Sequence, residues 1–365
     1  MNFILQKRHF DTFDAFRFLA FFKVFLLHLP VFTFPVFTFF KEGGNIGVNF
    51  FFVLSGFLIT YLILYEKNLK GTFSLKNFFI RRILRIWPLF YLVLLLAMSA
   101  PYIISYFNLP YSNAGYEPNW LMSFLFLENY MMMINKMEPN VVPLGVMWTL
   151  CVEEHFYILW GLSLFFIKIK NIPKLILLSI LIANVTRIFY FNYDIGFIDV
   201  FSNLDYFAYG AIPAYLLVTK ENLFTDFINK IRLDVKWLFI ILLLLYIILS
   251  PNIFYTYKIL IEPTIFGFGF FVLLSFTIPQ NSKIKISDNN ILSKLGIYTY
   301  GLYLFHPILT SISFKLFGYF KLPVETPLNA FLFSLCAFVL TVITAYLSYN
   351  LFEKKFLKLK NKFNY

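Results

Sequence analysis

The chain has 365 residues, 60% of them hydrophobic and only 14% charged, with a mean hydropathy of +0.73 and a formal net charge of +12. Water-soluble domains run nearer half apolar and a quarter charged, so this composition excludes a soluble globular enzyme. The basic residues are spread between apolar runs, which fits membrane orientation and anionic lipid headgroups and not nucleic acid.

Apolar stretches of about 20 residues fill the whole length, long enough for helices to cross a bilayer, whereas barrel strands are shorter and alternate. The expected fold is all-α, a polytopic membrane helical bundle forming a single integral-membrane domain over 1–365, with no attached soluble domain. Residues 1–13 carry Lys7, Arg8 and Asp11 and lack the pattern of a cleavable signal, so the first span is expected to be its own targeting signal. Cys151 and Cys336 lie far apart in apolar segments and suggest neither a disulfide framework nor a metal site.

About ten transmembrane helices are expected, over 14–36, 47–65, 86–107, 147–167, 173–191, 204–219, 237–252, 259–278, 296–315 and 328–351. Alternate connections are rich in Lys and Arg: Lys67, Lys70, Arg81, Arg82 and Arg85 fall in one, Lys220, Lys230, Arg232 and Lys236 in another. The acidic Glu117, Glu128, Glu138, Asp194 and Asp199 fall in the opposite set. The positive-inside rule then puts both termini in the cytoplasm. The apolar stretch 120–134 is short and contains Glu128, and if it spanned it would reverse every later loop. It is expected to be re-entrant or interfacial, inside a long outer loop from 108 to 147.

The first span carries Arg17, Lys23 and His28, and titratable groups inside a membrane helix are costly enough to be functional candidates. Arg17 and His28 share one helix face but stand about 16 Å apart along the axis, too far to hydrogen-bond. They read either as an anion anchor and a buried imidazole, or as a snorkelling arginine and a packed histidine. GGNIGVNFFFVLSGFLIT (Gly43 to Thr60) follows; its Ser55 and Gly56 read first as a small-residue packing face. In FFIRRILRIWP, Arg81, Arg82 and Arg85 could bind phosphates of a nucleotide or of lipid headgroups, and on these residues alone lipid is favoured. WTLCVEEHFYILW places Glu153, Glu154 and His155 together inside a span, with Thr149, Glu153 and Tyr157 on one face, and suggests a polar cavity. In LGIYTYGLYLFHP, His306 reaches a depth similar to that of His28.

Taken together, Arg17-x10-His28 preceded by Asp14, then GVNFFFVLSGFLI, FFIRRILRIWP, WTLCVEEHFYILW, YTYGLYLFHP and a weak SYNLFEKKF resemble the acyltransferase-3 family of membrane O-acyltransferases, over residues of about 10–356. That family includes O-acetylases of lipopolysaccharide O-antigen, peptidoglycan and exopolysaccharide, some of which carry an extracellular esterase domain. The chain departs from the family pattern at Phe18, where glycine is usual, at Thr149 and His155, where serine and glutamine are usual, and after Glu353, where Lys355 replaces a proline.

The resemblance implies acyl-CoA, usually acetyl-CoA, as donor, and a glycan or lipid-linked sugar hydroxyl as acceptor, in the bacterial cytoplasmic (inner) membrane. It implies no metal. Donor phosphates would meet Arg81, Arg82, Arg85 and Arg17. His28 would act as general base or transient acyl carrier, assisted by Arg17 and Glu153. Trp148, Thr149, Glu154, Tyr157 and His306 would bind or orient the substrates, and Asp14 is expected to pair with Arg17. The rival class is a lipid-linked sugar flippase, against which the lack of repeated halves argues. A succinyl or longer acyl group is the alternative donor chemistry.

Overall fold

The computed structural model describes residues 8–29, 42–106, 114–253 and 257–363, and all regular structure among them is helical. The main elements are α1 (Thr12–Leu27), α2 (Asn45–Lys70), α3 (Leu75–Tyr106), α4 (Trp120–Phe124), α5 (Glu128–Asn135), α6 (Leu144–Phe166), α7 (Ile172–Asn192) and α8 (Val200–Thr219). They continue as α9 (Glu221–Lys230), α10 (Leu233–Leu249), α11 (Lys258–Thr277), α12 (Ile291–Gly296), α13 (Thr299–Tyr319) and α14 (Pro327–Ser348). A π-helical turn, Tyr349–Glu353, then leads into α15 (Lys354–Lys360).

Among the described residues, six helical stretches are long and apolar enough to cross a membrane: Asn45–Lys70, Leu75–Tyr106, Ile169–Asn192, Leu233–Asn252, Lys258–Thr277 and Pro327–Lys360. Every one of the ten expected segments falls on a helix, but α1, α6, α8 and α13 are not among those six. The physical reason lies in their content. These four carry Arg17, Glu153, Asp205 and His306, which lower their hydropathy, and α1 has only 16 residues. The expected end of the first span, at 36, lies outside the described residues.

The core is built on α2. It is 72% buried over its most apolar stretch, against 17% for Leu233–Asn252 at the periphery. Two glycines let α2 and α8 approach until backbone meets backbone: a Cβ at Gly56 would lie 2.1 Å from the Phe207 carbonyl oxygen, and one at Gly210 would lie 1.9 Å from that of Val53. Asp199 opens α8 by accepting the Ser202 amide at 2.9 Å, and left-handed Gly71 closes α2. Between α7 and α8, Arg187 donates to both carboxylate oxygens of Asp205 at 2.9 and 2.7 Å, with both side chains buried. A buried bidentate pair of this kind satisfies two charges that could not be left alone in the bundle.

The stretch 120–134 is not one helix. It breaks into α4 and α5, of five and eight residues, around Phe126 at φ 59°, and neither is long enough to cross. Glu128, 1% exposed, is held by the Tyr116 and Ser123 hydroxyls. Burial, and then the hydrogen bond and charge of Glu128, raise the Tyr116 hydroxyl's pKa.

Candidate active site

Six of the candidate side chains, Arg17, Arg82, Arg85, Thr149, Glu153 and Tyr157, converge on a cavity of about 430 Å³ lined by α1, α2, α3, α6, α12, α13, the C-terminal π-helical turn and α15. α1 supplies Asp14 and Arg17, which form an ion pair one turn apart, as the spacing suggests. The helical Arg-rich segment of α3 supplies Arg82 and Arg85. Arg82 is 7% exposed, with its guanidinium 5.7 Å from the Tyr157 ring centre, while Arg85 is exposed. α6 contributes Thr149, Glu153 and Tyr157, spaced four apart so that all three face the same space. Glu153 accepts from the Ser55 hydroxyl and from the Tyr157 hydroxyl, each at 2.8 Å. The cavity therefore gathers three arginines and Lys360 with the carboxyl groups of Asp14, Glu153 and Glu353, of which Glu153 is held in place by two hydroxyls.

His28 is elsewhere. It caps α1 and lines a second cavity of about 200 Å³, together with Glu138, Pro143, Val146, Pro307 and Thr310. The two cavities share no lining residue. Between them stands a small hydrogen-bonded partition: the Thr149 hydroxyl donates to the Tyr303 hydroxyl at 2.9 Å, and the Tyr303 hydroxyl lies 3.2 Å from the Val146 carbonyl. Thr149 and Tyr303 line the arginine cavity and Val146 lines the histidine cavity.

Both imidazoles are oriented by backbone carbonyls. Pro307 has no N–H, which leaves the Tyr303 carbonyl four residues earlier without its helical donor. His306 Nδ1 takes that place, donating at 2.7 Å, so its Nε2 carries the lone pair of the neutral ring. His28 Nδ1 donates to the Val24 carbonyl at 2.9 Å, with the same consequence. The two rings pack edge to face at 4.9 Å, in keeping with the similar depth expected of them. His306 is fully buried against Phe21, Phe25 and Tyr303 and lines neither cavity.

Three other expected residues are not brought to the cavity. Arg81 is 1% exposed and turns to Glu66 at 3.3 Å and the Phe363 carbonyl at 2.7 Å. It follows its own helix face, because a shift of one residue rotates Arg81 by about 100° from Arg82. Glu154 likewise leaves the Glu153 face and accepts from the Trp87 indole at 3.3 Å, and Trp148 packs edge-on to Phe52. Conversely, Ser55, Tyr300, Tyr303, Tyr349 and Glu353 line the arginine cavity without having been singled out for it. Ser55 lay in a stretch that reads as helix packing, and Glu353 in the weakest of the motifs. Both Tyr349 and Glu353 reach the cavity from the π-helical turn.

A family described as an acyltransferase domain matches residues 10–350. The peptidoglycan O-acetyltransferase OatA of Listeria monocytogenes is 31% identical over 180 residues, 47% of this chain and 27% of that protein. A putative O-acetyltransferase of Staphylococcus aureus (strain COL) is 26% identical over 341 residues, 87% of this chain and 53% of that protein. A putative peptidoglycan O-acetyltransferase of Bacillus subtilis, YrhL, is 30% identical over 129 residues, 34% of this chain and 20% of that protein. The chain thus spans about half or less of the length of these curated relatives. No solved structure matches it. With the family match running from the turn before α1 to the π-helical turn, the chain belongs to the acyltransferase domain family.

Proposed function

We propose that the chain is a membrane O-acyltransferase that moves an acyl group, acetyl by preference, from cytoplasmic acyl-CoA to a hydroxyl of a cell-envelope or extracellular glycan. The observation that carries this reading is the arginine cavity, in which Arg17, Arg82 and Arg85 face the same space as Glu153 and Tyr303. Guanidinium groups match the phosphates of a coenzyme. Beside these charged groups and Asp14, Glu353 and Lys360, the cavity has aromatic and aliphatic walls suited to a pantetheine arm. Relatives named as O-acetyltransferases, including peptidoglycan O-acetyltransferases, support acetyl and glycan as the two substrates.

In this reading the thioester travels from the arginines past Thr149 and Tyr303 to His28. His28 Nε2 takes the proton of the acceptor hydroxyl as its oxygen attacks the thioester carbon. The new C–O bond forms, the C–S bond breaks, and the proton passes to the departing thiolate, leaving free CoA. Glu153 orients the arm through its hydroxyl partners, and Arg17 holds phosphate while Asp14 fixes its direction. The distribution of Lys and Arg supports ten crossings with both termini in the cytoplasm of a bacterial inner membrane, and membrane lipids as neighbours.

The test is vectorial. Radiolabelled acetyl-CoA is supplied to one face of sealed vesicles of known orientation, and label is sought in glycan on the other. Label in the glycan only when acetyl-CoA is on the cytoplasmic face supports the reading. Transfer from the opposite face, or none from either, refutes it.

A further inference from the structure

The histidine cavity is lined by none of the three arginines that face the first, and its chemistry differs from that of the first. Its walls come from the segment around Glu138, from the first turn of α6, and from the half of α13 beyond Pro307, with His28 at one side. At about 200 Å³ it holds less than half the space of the arginine cavity, enough for one sugar ring and too little for a coenzyme. Among the described residues, no lysine or arginine lines it. A phosphate or carboxylate ligand would therefore find no counter-charge. A neutral, hydroxyl-rich ligand would find a carboxylate, two hydroxyls and an imidazole, set among the flat apolar faces of Pro139, Pro143 and Pro307.

Two details show that these polar groups are kept available. Thr310 is 7% exposed, and among the described residues its hydroxyl has no partner. The other buried hydroxyls of α13 have partners: Thr299 bonds to the Gly296 carbonyl at 2.7 Å, Ser313 to the Leu309 carbonyl at 2.7 Å, and Tyr303 pairs with Thr149 and the Val146 carbonyl. A buried hydroxyl without a partner is costly, so its natural partner is a ligand in the cavity it lines. Glu138 is fixed by its backbone: its carbonyl accepts the Tyr116 amide at 3.2 Å, and the Asn140 amide donates to the Tyr116 carbonyl at 2.9 Å. Its carboxylate lies over Gly145, where a Cβ would come within 3.2 Å of Oε2. Glycine at 145 thus leaves the carboxylate its place in the cavity.

We propose that the histidine cavity seats one sugar ring of the acceptor, with Glu138, Thr310 and Ser311 holding its hydroxyls so that one is presented to His28 Nε2. This rests on the acyltransferase reading above and adds to it a specificity site made by residues outside the resemblance motifs. The sugar reaches the cavity either on a free glycan or on a lipid carrier, and the two share this recognition.

The full chain in vesicles is assayed with acetyl-CoA and, in separate arms, a soluble peptidoglycan disaccharide fragment and a polyprenyl-linked disaccharide. Three variants are compared with the unaltered protein: Thr310→Val, Thr310→Ser and Glu138→Gln. In whichever arm is active, Thr310→Val and Glu138→Gln should each raise the acceptor KM by about tenfold, while Thr310→Ser restores it. The acetyl-CoA KM and the slow hydrolysis of acetyl-CoA by water should not change, which separates acceptor binding from a folding defect. An acceptor KM equal to that of the unaltered protein in both variants overturns the proposal. So does an unaltered protein that hydrolyses acetyl-CoA but uses neither sugar. Failure of the unaltered protein to bind acetyl-CoA would instead bring down the acyltransferase reading itself, and the sugar site with it.

Discussion

Replacing Arg81, Arg82 and Arg85 one at a time by alanine separates three arginines that look equivalent in sequence. Arg82 is almost buried against the Tyr157 ring and faces the cavity, so water does little to screen it. A charge-assisted hydrogen bond contributes about 1.5–3 kcal/mol, which at about 1.4 kcal/mol per decade is a loss of roughly 10- to 150-fold in donor affinity. Arg82→Ala should fall toward the upper end. Arg85 is exposed, and solvent screening places Arg85→Ala at the lower end or below it. Arg81→Ala should leave donor affinity alone and instead strand Glu66, 3% exposed, without its charge partner. Breaking a buried pair in this way costs about 3–5 kcal/mol. Acetyl-CoA binding to the purified protein in lipid nanodiscs, measured beside thermal unfolding of the same samples, reads both quantities. The reasoning is refuted if Arg81→Ala weakens donor binding at unchanged stability, or if Arg82→Ala binds acetyl-CoA as tightly as the unaltered protein.

Four further outcomes follow from the geometry. Tyr303→Trp adds bulk at the partition between the cavities and should lower kcat by about tenfold or more with acetyl-CoA binding unchanged, since the thioester no longer reaches its attack position; equal kcat would show that the acyl group takes another route. Gly210→Ala puts a methyl where only 1.9 Å separates it from the Val53 carbonyl, and the α2–α8 contact should lose about 1–3 kcal/mol, seen as a lower unfolding temperature. Asp205→Ala leaves Arg187 buried and unmatched, with an expected loss of about 3–5 kcal/mol that Arg187→Ala in the same chain should partly relieve. At the loop surface, the hydrogen bond and charge of Lys136 hold the Asp194 carboxyl below its ordinary pKa. A lowered pKa adds stability above the ordinary carboxylate range, and that stability is lost as pH falls through the lowered value. Both groups are exposed, so Lys136→Ala should remove a small acid-range slope in unfolding temperature that high salt also removes.

How much of this was legible beforehand depends on the kind of signal. Each expected segment coincides with a helix because apolar length is a strong, local cue. Among the described residues, membrane crossing by length and apolarity is supported for six stretches only, since α1, α6, α8 and α13 dilute their hydropathy with polar residues, some of which, such as Arg17 and Glu153, line the site. The shared face of Thr149, Glu153 and Tyr157 could be read from helical spacing, and so could the Asp14–Arg17 pair. Spacing also separates Arg81 from Arg82, but it does not say which face meets the cavity. That depends on Glu66 of α2 and on the chain near Phe363, which are distant in sequence. Ser55 and Glu353 escaped because a hydroxyl in a glycine-rich face and a carboxylate in a degenerate motif carry no periodic signature. The partition of Thr149, Tyr303 and Val146 joins helices separated by some 150 residues and has no local sequence cue at all.

The central claim is that an imidazole at the end of α1 takes the proton as the acyl group changes hands. It is tested most directly by supplying radiolabelled acetyl-CoA to the cytoplasmic face of vesicles holding either the unaltered chain or His28→Ala, at matched protein levels and matched acetyl-CoA binding. The account predicts labelled glycan from the first and none above background from the second; equal label from both would contradict it.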